Sequence, residues 1–242
     1  MFKPKCLLLV TAAAISLTAC SNSEASEPPI VIQTEQTASV QPVENGDEVM
    51  PAVTYTEFLK DVNLQRLAFA DNSAAKTALY QWINTDMYGY WDETTWDFYG
   101  VSRIAGQGEI ACGYFVTTLL KDLGFEIDRV RLAQDVSATM IKELTADIHI
   151  TRTVQGMIDY VNTQPSGSVF IVGLDFHTGF ITSGPGGIYF IHSNYYIGRE
   201  GVVKEIAATS AALHDSSYFM IGNLSTRADT IKAWRTTNSQ PF

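Results

Sequence analysis

Cysteine is scarce in this chain, and its placement excludes a framework of disulfides. Three of the 242 residues are cysteine. Cys6 lies in the amino-terminal segment and Cys20 at the end of that segment, so Cys112 is the one thiol in the rest of the chain. A small domain held together by disulfides needs several paired cysteines. Cys112 is therefore either a small buried residue or a reactive thiol.

Basic residues are also few, and they are scattered. The chain has 16 Lys and Arg against 26 Asp and Glu, which gives a formal net charge of −10. Surfaces that bind nucleic acid concentrate Lys and Arg in a patch or stripe, and this sequence has none. It also lacks the closely spaced Cys and His pairs of zinc sites. No helix is predicted after the glycine-rich turn Gly184–Gly187, so a phosphate-binding loop is not expected there. The sequence predicts no nucleic-acid partner, no metal and no organic cofactor.

Long apolar runs are absent except at the amino terminus. There, a basic start precedes an apolar run from Cys6 to Leu17. This run is too short to span a bilayer comfortably and has the layout of a secretory signal. It ends in Leu-Thr-Ala-Cys20, which resembles the lipobox of bacterial lipoproteins. The resemblance implies that residues 1–19 form a signal peptide and that lipid on Cys20 anchors the protein to a membrane.

The segment after Cys20 has the composition of a tether. From Asn22 to Met50 it is acidic and has no lysine, arginine or aromatic residue. Such a segment cannot bury enough apolar surface to fold. Ser21 follows the cysteine where aspartate would resemble an inner-membrane retention signal, which favours the periplasmic face of an outer membrane. We predict a disordered acidic tether over residues 20–51 and one folded domain over residues 52–242.

Helical patterns come first in the folded part, and strand patterns follow. Apolar residues at helical spacing predict helices over residues 56–70, from 72 or 73 to a point before Gly89, and over 112–123, 137–144 and 153–162. Residues 84–108 are predicted to be a loop. Short β-branched and aromatic runs predict strands at residues 168–174, 179–182, 188–193 and 218–224. Helices followed by clustered strands indicate an α+β fold with an antiparallel sheet.

Three motifs follow one another between Tyr99 and Asn194. They are Asp-Phe-Tyr99-Gly leading through a loop to Gly-Glu-Ile-Ala-Cys112-Gly-Tyr-Phe-Val, then Gly-Leu-Asp-Phe-His177-Thr-Gly-Phe-Ile, then Ile-Tyr-Phe-Ile-His192-Ser-Asn194. Their order resembles the NlpC-type branch of the papain-like cysteine peptidases. The resemblance implies a papain-like fold, in which amino-terminal helices and a central nucleophile helix pack on an antiparallel sheet.

The chemistry of these residues predicts a cysteine nucleophile and a histidine base independently of the family resemblance. Cys112 begins the clearest predicted helix, and a helix amino terminus stabilises a thiolate. His177 is the predicted base, which takes the thiol proton and later protonates the leaving amine. His192 is predicted to orient His177 as the third member of a triad. Asn194 lies on the same side of the strand and is the alternative orienting residue.

The oxyanion donor and the substrate groove are less sharply specified. The Cys112 N–H is one expected oxyanion donor, and the second is Tyr99, which matches the family's loop tyrosine, or Gln107. The aromatic residues Tyr90, Trp91 and Trp96 fall in the predicted loop. They either line a groove for sugar or peptide, as substrate-binding residues, or pack in the core.

Together these features predict an envelope cysteine hydrolase that cleaves amide bonds through a Cys112 thioester. The family resemblance implies peptidoglycan peptides as the first substrate to consider. Two alternatives stay open: an acyltransferase that uses the same three residues, and a non-catalytic envelope-binding module. The second alternative predicts that Cys112 is buried and unreactive.

Overall fold

The computed structural model describes residues 53–92 and 94–238. The predicted signal peptide, the lipidated Cys20 and the tether therefore lie outside the described residues. Within the described part, no helix has both the length and the hydropathy that crossing a bilayer requires.

Helices make up most of the first half of the described chain, and strands most of the second. The helices are α1 (Tyr55–Ala68), α2 (Asn72–Gln81), α3 (Met87–Trp91), α4 (Cys112–Asp122), α5 (Arg129–Gln134), α6 (Ser137–Leu144), α7 (Val154–Asn162), α8 (Ala211–His214) and α9 (Ala228–Thr236). The strands are β1 (Ala146–Thr151), β2 (Ser168–Gly173), β3 (Thr178–Gly184), β4 (Gly187–Asn194), β5 (Gly201–Ile206) and β6 (Phe219–Asn223). A π-helical turn, Trp82–Asp86, joins α2 to α3, and a 3₁₀ turn, Ala207–Thr209, follows β5.

Local sequence signals explain where the helices begin and end. Thr54 caps α1 through a capping box with Glu57, and the Asp71 side chain caps α2. The sequence predicts Thr56 and Asn72 or Ser73 as these caps, so both caps lie one or two residues earlier than predicted. Helix α4 ends before Gly124, whose φ of 88° is one that glycine adopts readily. The predicted loop over residues 84–108 is wrong in its first part, because the helical backbone continues through the π-helical turn to Trp91.

The strands form one antiparallel sheet among the described residues. Their order is β1-β6-β2-β3-β4-β5, and every neighbouring pair is antiparallel. The α+β prediction with an antiparallel sheet is therefore confirmed. The sequence does not predict strands β1 and β5, because neither has the continuous apolar pattern of the central strands.

Both faces of the sheet are covered. Successive residues of a strand point to opposite faces, and β2 shows this: Val169 and Ile171 belong to one buried cluster, Phe170 and Val172 to another. The first cluster contains the buried residues of α1, α2, α4, α6 and α9, and the second those of α7 and α8. The result is a sheet between two layers of helices, with the larger core on the α4 side.

Helix α4 packs on β3 and β4, which determines where the predicted site residues lie. Phe115 on α4 meets Phe180 on β3 edge to face, with ring centroids 6.3 Å apart. Cys112 lies one turn earlier on the helix, and His177 immediately precedes β3. Packing of this helix on this strand therefore brings two residues that are distant in sequence to one place.

Candidate active site

Cys112 is the first residue of α4, and the segment before it is held in place by backbone contacts. The Ala111 N–H donates to the Gly100 carbonyl (2.9 Å), and the Ser193 hydroxyl donates to the Ile110 carbonyl (2.6 Å). A Cβ at Gly100 would lie 2.5 Å from the Ile110 nitrogen, so only glycine permits this approach. Strand β4 and the Gly100 turn together fix the start of α4.

The residues on either side of Cys112 explain its local environment. Ala111 has no side chain that could cap α4, so the first N–H groups of the helix have no capping partner, and those of Cys112 and Gly113 lie near the Cys112 sulfur. A Cβ at Gly113 would lie 2.5 Å from the Ala133 carbonyl oxygen. Glycine at 113 thus lets α5 approach the beginning of α4 closely. Both features leave an open, electropositive helix start beside the sulfur.

Cys112 and His177 line the same two cavities. The larger has a volume of about 690 Å³ and the smaller about 240 Å³. His177 is carried by the turn between β2 and β3, which the Leu174 N–H closes by donating to the His177 carbonyl (2.8 Å). Within residues 53–92 and 94–238, the Cys112 sulfur makes no hydrogen bond to the His177 ring. Nucleophile and base contacts are often looser without substrate than with it.

Burial keeps both groups neutral in the resting site. It raises the pKa of the Cys112 thiol, although N–H groups of Thr178, Gly113 and Cys112 itself hydrogen-bond to the sulfur and lower that pKa in part. Burial, with a smaller contribution from His192, holds the pKa of His177 well below its ordinary value. At neutral pH the site therefore contains a thiol and a neutral imidazole, not a thiolate–imidazolium pair.

A chain of hydrogen bonds runs from His177 into the protein. His177 Nε2 lies 2.7 Å from His192 Nδ1, and His192 Nε2 lies 3.0 Å from Glu205 Oε1. The Ser210 hydroxyl donates to the same Glu205 oxygen (2.6 Å). Phe190 stacks on the His192 ring at 4.0 Å between centroids, which fixes the plane of the ring.

The ionised carboxylate of Glu205 determines which nitrogens of His192 and His177 carry protons. Burial would raise the pKa of the Glu205 carboxyl, but hydrogen bonds from His192 and Ser210 leave that pKa below its ordinary value. A carboxylate only accepts, so His192 Nε2 carries the proton and His192 Nδ1 is the acceptor. His177 Nε2 then donates to it, which leaves His177 Nδ1 as the free lone pair. This tautomer is the one that a general base requires.

Glu205, which contacts His192, is a residue that the sequence did not single out, and His192 rather than Asn194 contacts the second nitrogen of His177. The prediction for Asn194 is wrong, because its amide donates to the Arg199 carbonyl (2.9 Å) and accepts from the Tyr196 N–H (3.2 Å). It therefore holds the turn after β4. Glu205 pairs with Phe190 across β4 and β5, which places it diagonally beside His192 on one face of the sheet.

The two predicted oxyanion donors separate in the structure. Tyr99 lines the larger cavity with Cys112 and is 82% exposed. Gln107 is exposed on a turn, where its N–H donates to the Ile104 carbonyl, and it is not among the residues that line either cavity. The prediction of Gln107 as an oxyanion donor is therefore wrong, because the turn carries it away from Cys112.

The three predicted groove aromatics also separate. Trp96 lines the larger cavity, where its ring lies 6.1 Å from that of Tyr195. Trp91 is fully buried on α3 and donates through Nε1 to the Tyr55 hydroxyl (2.9 Å). Tyr90 packs on Tyr55 (5.2 Å) in the core against α1. The substrate-binding predictions for Trp91 and Tyr90 are wrong, because α3 places both residues on a helix that packs into the core.

Tyr195 is a second residue that the sequence did not single out. It follows β4 directly, and its ring meets that of His177 edge to face at 5.1 Å. Tyr195 thus forms a wall of the larger cavity and packs against the proposed base. No group of three or more His, Cys, Asp or Glu side chains that could hold a metal ion occurs in the described parts of the chain.

Comparison with known proteins identifies no relative. No protein-family model, no curated protein and no solved structure matches this chain significantly.

Proposed function

We propose that this protein is a cysteine hydrolase that cleaves amide bonds through a Cys112 thioester, on a papain-like domain of the NlpC type. The observation that carries the proposal is the arrangement of four residues. Cys112 starts a helix beside His177, and hydrogen bonds link His177 through His192 to Glu205. A nucleophile, a base and a group that orients the base are the parts that such catalysis needs.

Acylation follows from the neutral resting state. His177 Nδ1 takes the proton from Sγ as the sulfur attacks the carbonyl carbon, so the nucleophile forms only when substrate is present. The new C–S bond converts the carbonyl oxygen to an oxyanion, which faces the uncapped N–H groups at the start of α4 and the Tyr99 side chain. Collapse breaks the C–N bond, and His177 gives its proton to the leaving amine.

Deacylation uses the same residues with water. His177 removes a proton from a water molecule that attacks the thioester carbon. Collapse then breaks the C–S bond and releases the carboxylic acid, and the sulfur takes the proton from His177. His192 and Glu205 act as positioning residues in both halves of the reaction. They hold the His177 tautomer and stabilise its transient positive charge.

The proposed substrate is a peptide of the cell wall, and the proposed location is the bacterial cell envelope. The sequence features that support this are the lipobox ending in Cys20 and the acidic segment behind it. Lipid on Cys20 would tether the domain to the periplasmic face of the outer membrane. The cavities that Cys112 and His177 share are open to solvent-borne substrate on the surface of the domain.

The test is product release from muropeptides, followed by liquid chromatography and mass spectrometry with the purified full chain. We expect new cleavage products, no products with Cys112→Ala, and a loss of about 10²- to 10⁴-fold with His177→Ala, the usual contribution of a general base. His149→Ala is the matched control, since His149 stacks on Tyr160 (4.5 Å) and does not line either cavity. Products that persist unchanged in Cys112→Ala would overturn the proposal.

A further inference from the structure

The two cavities beside Cys112 differ in charge. Among the described residues that line the larger cavity, none is Asp, Glu, Lys or Arg, and its one titratable base is His177. The smaller cavity is lined by two carboxylates, Asp135 and Asp175. A substrate that lies across Cys112 therefore meets a neutral surface on one side and an acidic one on the other.

The wall of the larger cavity is aromatic and unusually exposed. It is formed mainly by six side chains: Trp96, Phe98, Tyr99, Val101, Tyr114 and Tyr195. Phe98 is 69% exposed and Val101 is 52% exposed. Contiguous exposed apolar surface on a soluble domain typically marks a site where a ligand or partner covers it. Here that surface surrounds the nucleophile.

Two polar groups near this wall, the Tyr114 hydroxyl and the Arg129 guanidinium, have partners inside the protein. The Tyr114 hydroxyl accepts from the Gln134 amide (3.0 Å). The Arg129 guanidinium packs over the Tyr114 ring, but it is buried and donates to Thr118 and to the Val101 carbonyl. A carboxylate or ammonium bound in the cavity would meet no side chain of opposite charge among the described lining residues, so no ion pair would offset the water that it loses.

We propose that the larger cavity binds an uncharged aliphatic or aromatic acyl group, the half of the substrate that becomes the Cys112 thioester. This inference rests on the proposed function. Tyr99, the predicted side-chain donor to the carbonyl oxygen, lines this cavity and does not line the smaller one, whereas Cys112 itself lines both. The acyl chain attached to that carbonyl therefore extends over the aromatic wall, and the leaving amine lies toward the carboxylates.

Acylation by p-nitrophenyl esters tests this directly, because the leaving group is constant. The burst of p-nitrophenol and the mass of the Cys112 peptide report acylation by the acetyl, hexanoyl and 5-carboxypentanoyl esters. We expect acylation by hexanoyl to be about 100-fold faster than by acetyl, since burial of each extra methylene contributes several-fold. We expect the carboxylated chain to lose that advantage. Equal rates for all three esters would overturn the inference.

Two matched valine variants locate the effect. Val101 and Val136 are both exposed, and each lines one cavity beside Cys112: Val101 the larger and Val136 the smaller. Val101→Asp places a carboxylate in the neutral cavity and should remove the preference for hexanoyl over acetyl. Val136→Asp adds the same charge on the other side and should retain the preference. Loss of the preference in both variants, or in neither, contradicts the assignment of the acyl group to the larger cavity.

Alkylation separates this inference from the proposed function, because it requires no hydrolysis. The rate at which N-hexyliodoacetamide modifies Cys112, relative to iodoacetamide and normalised to glutathione, measures the affinity of the cavity for an alkyl chain. A preference for the hexyl reagent that Val101→Asp removes supports the apolar cavity, even in a protein that cleaves no amide. Amide cleavage without any hexyl preference supports the hydrolase and refutes the acyl-group assignment.

Discussion

A single carboxylate fixes which nitrogen of His177 is available as a base. Glu205 accepts from His192 Nε2, and His192 Nδ1 then accepts from His177 Nε2. While Glu205 is ionised, only one assignment of protons to the nitrogens of the two neutral histidine rings satisfies both hydrogen bonds. The tautomer of His177 therefore depends on a residue two hydrogen bonds away from its ring.

Replacement of Glu205 should change the His177 tautomer. Glu205→Gln keeps an oxygen that accepts from both His192 and Ser210, so we expect His177 Nδ1 to remain unprotonated. Glu205→Leu removes that acceptor, and we expect a mixture of tautomers together with a fall in kcat/KM of about tenfold, smaller than the about 10²- to 10⁴-fold that a general base contributes. Histidine ¹⁵N chemical shifts measure the tautomer independently of activity. An unchanged tautomer in Glu205→Leu would show that the carboxylate has no positioning role.

The sequence singles out three of the four residues on which the proposed function rests. It does not single out the fourth, Glu205. Cys112, His177 and His192 stand in motifs with recognisable neighbours. Glu205 lies on β5, a short strand whose apolar pattern is interrupted by Lys204 and by Glu205 itself. Its relation to His192 arises from strand pairing across the sheet, which local sequence does not encode.

At the scale of elements, the approach of α5 to α4 depends on Gly113. Alanine normally favours a helix over glycine by about 1 kcal/mol. At Gly113, however, the added Cβ would lie 2.5 Å from the backbone oxygen of Ala133, so one helix must move. Ala133 lines both cavities, and such a movement would alter the wall next to Cys112.

We therefore expect Gly113→Ala to destabilise the domain by about 1–3 kcal/mol, the usual cost of overpacking. Gly89→Ala is the matched control: Gly89 lies in α3, and a Cβ added there would have nothing within 4 Å, so alanine should be neutral or stabilising. Urea unfolding curves of the two variants provide the comparison. A Gly113→Ala domain as stable as the parent would show that α5 is free to shift.

The errors in the element predictions have physical causes. The aromatic residues from Tyr88 to Trp91 have no strong helix propensity, yet packing on α1 and α4 holds them in a helix. Trp91 can be buried without an unsatisfied donor because its indole N–H donates to the hydroxyl of Tyr55, which lies 36 positions away in the sequence. Tertiary packing, rather than local composition, therefore determines that the segment up to Trp91 is helical.

At the scale of the whole molecule, a buried carboxyl group in the core links stability to pH. Asp122 accepts from the Tyr55 hydroxyl (2.6 Å), and burial raises the pKa of Asp122 to about 6 despite that bond. The folded protein thus keeps a proton that the unfolded chain releases near pH 4. Protonation of Asp122 therefore contributes to the free energy of unfolding in full below about pH 4, and this stabilisation is lost as the pH rises to about 6.

Asp122→Asn should flatten this part of the pH dependence. The amide mimics the protonated carboxyl and retains an oxygen for Tyr55. The free energy of unfolding of the variant, relative to that of the parent, should therefore increase by about 3 kcal/mol as the pH rises from about 3 to 7. Asp175→Asn is the control of opposite sign, because hydrogen bonds, above all from the Ser217 N–H, hold the pKa of Asp175 below its ordinary value. Chemical denaturation of all three proteins across pH measures the difference. Parallel curves for the parent and Asp122→Asn would refute the linkage.

The neutral resting state of Cys112 also has a consequence for the lifetime of the protein. Peroxide and disulfides react with thiolates far faster than with thiols, and oxidation beyond the sulfenic acid is irreversible. Because burial raises the pKa of the Cys112 thiol and keeps His177 unprotonated, the idle sulfur offers little thiolate to an oxidant. We therefore expect slow sulfenylation of this cysteine, for which no second cysteine among the described residues could act as a resolving partner.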